Sequence, residues 1–152
     1  MNFTDQKLHE SIKHWLMELG VSQMNRGRNY YRCYTGDSEP LDVRVRRRHV
    51  SYRPDVVWEA GSQSVVFELA FTDGWRAIAG EIILAALSRK VAKVFIITDY
   101  EDTEVSDMVS IFDDWVRDKD LLKWGAEHIA VAGMEDAKRK IRRRLRQGDY
   151  IW

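Results

Sequence analysis

The chain contains 152 residues, of which 45% are hydrophobic and 32% charged, and these are the proportions of a soluble globular protein. This length is enough for one domain with a hydrophobic core, and no internal repeat or low-complexity segment is present, so we predict a single domain over 1–152. The 24 basic and 24 acidic residues cancel, which excludes a globally basic nucleic-acid-binding protein and leaves only local basic surfaces.

Cys33 is the only cysteine, which excludes an internal disulfide and suits a reducing compartment. The amino-terminal residues are polar and do not resemble a signal peptide. No apolar run approaches the roughly 20 residues that a membrane span requires. We therefore expect a cytoplasmic protein with no membrane partner.

The first half of the chain predicts one helix and several strands. Apolar residues recur at helical spacing over 4–19, and Gly20 is a plausible stop for that helix. The polar and aromatic segment 21–40 is interpreted as irregular, with one strand near 30–34. Valines alternate with arginines in 43–50, which predicts a half-exposed strand with a cationic face.

Two further strands are predicted at 55–60 and 64–71, and Gly61-Ser62-Gln63 between them is typical of a hairpin turn. Side chains alternate between the two faces of a strand, so Glu68 and Ala70 are expected to share one face.

The second half predicts a buried apolar helix over 75–88 and an apolar strand over 91–98, typical of a central strand and compatible with parallel pairing. An acidic helix follows over 103–119, then a short strand over 127–131 and a basic helix over 134–147. This order of elements predicts an α/β fold of three layers, in which helices flank a mixed central sheet.

Two carboxyl groups stand where strands usually exclude them. Asp55 follows Pro54 at the start of one strand, and Glu68 lies inside the next. A buried carboxylate without a partner is costly, so a cation or a bound proton is expected nearby. Two carboxylates on neighbouring strands favour a shared divalent cation, Mg²⁺ or Mn²⁺. The alternative is structural: Asp55 caps a turn, and Glu68 pairs with a buried arginine.

Pro54-Asp55, a spacer and then Glu68-Leu69-Ala70 resemble the motif of the PD-(D/E)xK nuclease superfamily, which includes many restriction endonucleases and the Holliday junction resolvases. The resemblance covers roughly residues 40–100. It implies a restriction-endonuclease-like fold and metal-dependent cleavage of DNA, commonly by a homodimer. It also implies that Asp55, Glu68 and the backbone carbonyl of Leu69 hold the metal ion.

The chain departs from the family at Ala70, where the motif has a lysine that orients water and stabilises charge on the phosphate. Arg76, at the start of the next helix, is the first candidate to replace that cation, while Lys7 and Lys93 are weaker candidates. A surface salt bridge is the alternative role of Arg76. Glu81 resembles a Gln or Glu that some branches carry on this helix facing the site, although it could equally lie on a polar stripe.

Two basic segments could contact phosphate groups. The first comprises Arg44, Arg46, Arg47, Arg48 and Arg53, and the second covers 138–146. Three successive arginines cannot share one strand face, so we expect an inward side chain or a bulge within 46–48. The alternative for the second segment is a solvated face balanced by the acidic helix, or paired with it in a homodimer.

Three hypotheses remain at this stage. The first is a metal-dependent nuclease-like enzyme that acts on DNA with an altered site, in which Asp55, Glu68, Glu81 and Arg76 act in catalysis. The second is a catalytically inactive member of that fold, which binds nucleic acid or a protein. The third is an unrelated α/β domain in which Pro54-Asp55 forms only a turn.

Overall fold

The computed structural model describes residues 3–25, 32–71, 75–88, 90–99 and 125–147. Within these ranges lie three helices, α1 (Phe3–Asn25), α2 (Trp75–Leu87) and α3 (Met134–Gln147). They also contain seven strands: β1 (Arg32–Tyr34), β2 (Leu41–Val45), β3 (Arg48–Tyr52), β4 (Val56–Ala60), β5 (Gln63–Ala70), β6 (Val91–Thr98) and β7 (Gly125–Ala130).

Five of these strands form one mixed sheet in the order β1-β4-β5-β6-β7. The pairs β1–β4 and β4–β5 are antiparallel, whereas β5–β6 and β6–β7 are parallel. A short turn that contains Gly61, with φ of 64°, joins β4 to β5, while α2 provides the longer connection that parallel strands need. The predicted α/β class with a mixed sheet is therefore confirmed.

Alternating side chains of the sheet supply two separate cores. Helix α1 contributes Ile12 and Leu16 to one core, which also contains Phe67 of β5. Helix α3 adds Ile141 to this core. On the opposite face, Ile82 of α2 packs with residues of β5 and of the β2–β3 hairpin, which forms its own two-stranded sheet. The central sheet thus has helices on both faces, and Glu68 lies on the face covered by α2.

The predicted end of the first helix is wrong. Helix α1 continues through Gly20 as far as Asn25. A Cβ atom at Gly20 would lie 2.5 Å from Cys33 Sγ and 2.7 Å from Trp58 Nε1. The glycine therefore permits close packing of α1 on β1 and β4 and does not end the helix.

The single strand predicted over 43–50 is also wrong. The chain reverses at Arg46 and Arg47, so this stretch forms a hairpin in which Val45 pairs with Arg48. Arg46 has φ of 58°, the left-handed conformation that tight hairpin turns require. All three consecutive arginines are exposed, and neither an inward side chain nor a bulge is needed.

The strand predicted over 91–98 and the helix predicted over 134–147 are confirmed at their predicted bounds. The last strand begins two residues earlier than predicted and ends one residue earlier, at Ala130. The acidic helix predicted over 103–119 lies outside the described residues. No described helix is both long enough and apolar enough to span a bilayer.

Candidate functional site

The register of β4 and β5 brings Asp55 and Glu68 together. Val56 pairs with Phe67 as the last pair of this ladder, and extending its register by one residue would set Asp55 opposite Glu68. Side chains directly opposite each other in an antiparallel pair have Cβ atoms about 5 Å apart, and like charges there repel. Because repulsion at this distance is unfavourable, the site must supply protons, donors or a cation.

Pro54 explains why the ladder opens at this point. The register would set Pro54 opposite Leu69, but a proline has no N–H to donate to the Leu69 carbonyl. The Leu69 N–H instead donates to Asp55 Oδ2 at 2.8 Å. The N–H and C=O groups of one strand residue point to the same side of the strand, so the Leu69 carbonyl also points to the side of β5 on which Asp55 lies.

Asp55 has a second partner on α1. His9 Nε2 lies 3.2 Å from Asp55 Oδ1, and the imidazole ring stands edge-on to Phe71, with ring centroids 6.4 Å apart. The hydrogen bond with Asp55 raises the pKa of His9, and burial opposes part of that rise. His9 is not among the predicted site residues, although its helical spacing to the apolar Ile12 and Leu16 places it on the buried face of α1.

Glu68 is almost completely buried, and the hydroxyl group of Tyr52 donates to its Oε1 at 2.7 Å. Burial raises the pKa of Glu68 well above its usual value, and the charges of Glu81 and Asp55 raise it further. The hydrogen bond from Tyr52 opposes that rise. The donor is therefore a tyrosine of the hairpin, and not the buried arginine of the structural alternative.

Glu81 extends from α2 into the same region. Its Oε2 atom is buried and has no hydrogen-bond partner among the described residues. Burial, followed by the charge of Asp55, raises the pKa of Glu81 to about 6. The structure thus places this oxygen in the interior and not on a solvent-facing polar stripe. Glu68, Glu81 and Asp55 are close enough for their charges to interact.

Among the described side chains, we find no cation at Ala70, the position at which the nuclease motif has a lysine. Ala70 shares the face of Glu68 and is buried. Arg76 lies in the first turn of α2, but its side chain is outside the described part of the chain. Lys7 is exposed. Lys93 Nζ bonds Glu127 Oε1 at 3.0 Å and lies over Phe95, whose core is on the opposite face of the sheet.

The first basic segment lies in the β2–β3 hairpin and in the residue that follows it. Its five arginines are all exposed, and they are Arg44, Arg46, Arg47, Arg48 and Arg53. The hairpin is fixed to the site because Tyr52, at its base, bonds Glu68. The hairpin that carries these exposed arginines and the buried carboxyl group of Glu68 are therefore connected through one hydrogen bond.

Part of the second basic segment is neutralised within α3. Asp136 lies 2.5 Å from Arg139 and 3.2 Å from Lys140, and the Ala132 N–H also donates to it. These donors hold the pKa of Asp136 at about 2. The guanidinium group of Arg142 stacks over Trp15 at 5.4 Å. The part of this run from Arg139 to Arg142 is therefore less available for phosphate contact than the hairpin.

The described residues contain no group of three or more histidine, cysteine, aspartate or glutamate side chains already arranged to hold a metal ion. Both oxygens of Asp55 and one oxygen of Glu68 are engaged by protein donors. No family model, curated protein or solved structure matches this chain. A functional assignment therefore depends on the chemistry of the site.

Proposed function

We propose that this protein is a divalent-cation-dependent hydrolase of DNA phosphodiesters, built on a restriction-endonuclease-like arrangement. The observation that carries the proposal is the burial of Glu68 beside Glu81 and Asp55. Three carboxyl groups in one field are unfavourable unless a proton or a cation compensates them. A bound Mg²⁺ or Mn²⁺ is the compensation that has a chemical use.

The residues present suit such an ion. The unpartnered Glu81 Oε2 and the raised pKa of Glu68 both indicate that a positive charge would be favourable here. Asp55, Glu68 and the Leu69 carbonyl would supply the hard oxygen ligands that Mg²⁺ prefers, with Glu81 assisting. When bound, the ion would polarise the phosphodiester and lower the pKa of an attacking water.

The protein's own residues orient these ligands. His9 and the Leu69 N–H hold the two oxygens of Asp55, and Tyr52 fixes one oxygen of Glu68. Ordered carboxylates lose less entropy when a ligand binds. Arg76 remains the proposed replacement for the missing lysine, since Ala70 offers only a methyl group.

Cleavage is the direct test. Linear duplex, single-stranded and four-way-junction DNA would each be incubated with Mg²⁺ or Mn²⁺, and we expect cleavage that Glu68→Gln abolishes. Glu59→Gln is the matched control, because Glu59 is also buried but bonds Tyr34 and Arg32 on another part of the sheet. Cleavage that survives in Glu68→Gln would refute the assigned site.

Metal binding can be tested separately from cleavage. We expect Mn²⁺ to raise the melting temperature of the native protein and of Glu59→Gln, but not that of Asp55→Asn or Glu68→Gln. An equal rise in all four proteins would show that the ion binds elsewhere.

A catalytically inactive DNA-binding module is the second candidate. The observation that favours it is Ala70, a buried methyl group where the family's motif has a lysine. This candidate predicts that DNA binds without cleavage under any metal condition. Ala70→Lys would then distinguish the two, because a gain of cleavage would show that only the lysine had been lost.

A further inference from the structure

The β2–β3 hairpin extends past the core on which its base packs. Tyr52 at the base of the hairpin and Val43 at the middle of β2 are fully buried. Closer to the tip Val45 is only half-buried, and Arg48, which pairs with Val45 and shares its face, is exposed. The inner face of the hairpin therefore loses its cover beyond Val43, so the tip is an exposed two-stranded ribbon.

Guanidinium groups surround this tip. Arg46 and Arg47 form the turn, Arg48 belongs to the inner face, and Arg44 belongs to the outer face beside His49. Arg44 Nε donates to the carbonyl oxygen of Arg46 at 3.1 Å, which braces the turn. Among the described residues, no carboxylate forms an ion pair with any of these four arginines.

We propose that the tip of this ribbon enters the major groove of B-form duplex DNA. The B-form major groove is about 12 Å wide and admits a two-stranded β-ribbon. Phosphates border the groove on both sides, so a tip with arginines on both faces can contact the two strands at once. A duplex of RNA is a poor substrate because the A-form major groove is deep and too narrow.

The inference rests on the proposed function and names its substrate as duplex DNA. Tyr52 fixes the base of the ribbon to Glu68. Arg47 lies five residue steps along the chain from Tyr52, which is roughly 16 Å at about 3.3 Å per residue. On B-form DNA that length corresponds to about five base pairs. The groove contact would thus lie at most about half a helical turn from the bond being cleaved.

Binding would be measured by fluorescence anisotropy in EDTA, so that no cleavage occurs. The probes are a DNA duplex of about 20 base pairs, or two helical turns, the RNA duplex of the same sequence, and the DNA duplex with glucosylated hydroxymethylcytosine, which fills the major groove. We expect the native protein to bind unmodified DNA at least about tenfold more tightly than either other duplex.

Single substitutions test which arginines of the tip contact phosphate groups. Arg47→Gln and Arg48→Gln are each expected to reduce the slope of log affinity against log salt by about 0.9 for one lost phosphate contact. Lys90→Gln removes one exposed charge beside the amino end of β6. This end of the strands is opposite to the end that carries Glu68, so the slope should stay unchanged.

Each outcome has a distinct meaning. Equal binding of the three duplexes, or equal slopes in all variants, would overturn the ribbon inference. If the protein hydrolysed bis(p-nitrophenyl) phosphate with Mn²⁺ but did not bind DNA, the ribbon inference would be overturned. Metal-dependent phosphodiester hydrolysis at the proposed site would still be supported. Groove-sensitive binding without metal-dependent hydrolysis would support the ribbon and refute the proposed activity.

Discussion

At the residue scale, the unusual feature is a set of buried and half-buried groups that hold protons more tightly than usual. The pKa of Glu68 is raised well above its ordinary value of 4.5, and that of Glu81 is raised to about 6. The pKa of His9 also lies above its ordinary 6.5 because Asp55 bonds it. All three shifts make the folded state bind more protons than the unfolded state, so all act in the same direction.

These shifts predict how stability depends on pH. Where the folded state binds more protons, the free energy of unfolding falls as the pH rises. The contribution of Glu81 to stability begins to fall near pH 4.5 and is lost as the pH passes about 6. The contribution of Glu68 is lost over a range that extends to higher pH. The contribution of His9 is lost above pH 6.5. In EDTA, we expect the melting temperature to fall by several degrees between about pH 5 and about pH 8.

Calorimetry across this pH range would measure the fall. Glu68→Gln should flatten the profile, and Glu59→Gln should keep the native slope even if it lowers the whole curve. A melting temperature that rises over this range would contradict the assigned burial. Saturating Mn²⁺ should also flatten the native profile, because the ion replaces the bound proton.

Gly36 positions the Pro54–Asp55 corner. Its N–H donates to the Pro54 carbonyl oxygen at 2.8 Å, and a Cβ atom at Gly36 would lie 2.2 Å from that oxygen. A methyl group cannot fit unless the backbone shifts, and any shift moves Asp55.

We therefore expect Gly36→Ala to cost about 1–3 kcal/mol of stability and to weaken the Mn²⁺-induced rise in melting temperature. Gly133→Ala is the matched control, since no described atom lies within 4 Å of a Cβ atom there. Urea denaturation with and without Mn²⁺ measures both effects. If Gly36→Ala behaved like the control, the corner would not depend on this close approach.

At the scale of elements, hydrophobic patterns in the sequence predicted the bounds of those helices and strands that depend mainly on neighbouring residues. The strand over 91–98 and the helix over 134–147 were correctly bounded because apolar runs and helical periodicity are properties of neighbouring residues. The hairpin was missed because Arg46 and Arg47 form its turn without the glycine, asparagine or aspartate that usually indicates one.

Two helical glycines look alike in sequence but have different surroundings. Gly20 packs against Cys33 and Trp58, whereas a Cβ atom at Gly80 would have no described neighbour within 4 Å. Only contacts between elements distinguish a glycine that is needed from one that merely weakens its helix.

We expect opposite effects from the same substitution at these two positions. Gly80→Ala should stabilise the protein by about 0.5–1 kcal/mol, because alanine loses less backbone entropy in a helix. Gly20→Ala should destabilise it by about 1–3 kcal/mol through overpacking. Urea midpoints of the two variants measured side by side provide the test, and effects of the same sign would contradict the packing of α1.

At the scale of the whole molecule, both outer layers are tied to one sheet by specific bonds. Trp58 Nε1 of β4 donates to the Leu16 carbonyl oxygen of α1 at 3.2 Å. On the other face, the Tyr52 hydroxyl bonds Glu68. Because both layers pack on β4 and β5, loss of one layer removes support from the strands on which the other layer packs.

Unfolding should therefore be a single cooperative transition. We expect tryptophan fluorescence and far-UV circular dichroism to give the same urea midpoint. Tyr52→Phe, which leaves a buried acceptor without its donor at a cost of about 1–3 kcal/mol, should lower both midpoints equally. Two separated transitions would show that the hairpin layer unfolds independently.

The sequence by itself determined the mixed α/β order, most element bounds and the shared face of Glu68 and Ala70, because periodicity and strand alternation act over a few residues. Only the tertiary structure joined His9 to Asp55 and Tyr52 to Glu68, and placed Glu81 Oε2 in the interior. Those contacts link separate elements, and their distances depend on how the layers pack on the sheet, which no local pattern specifies.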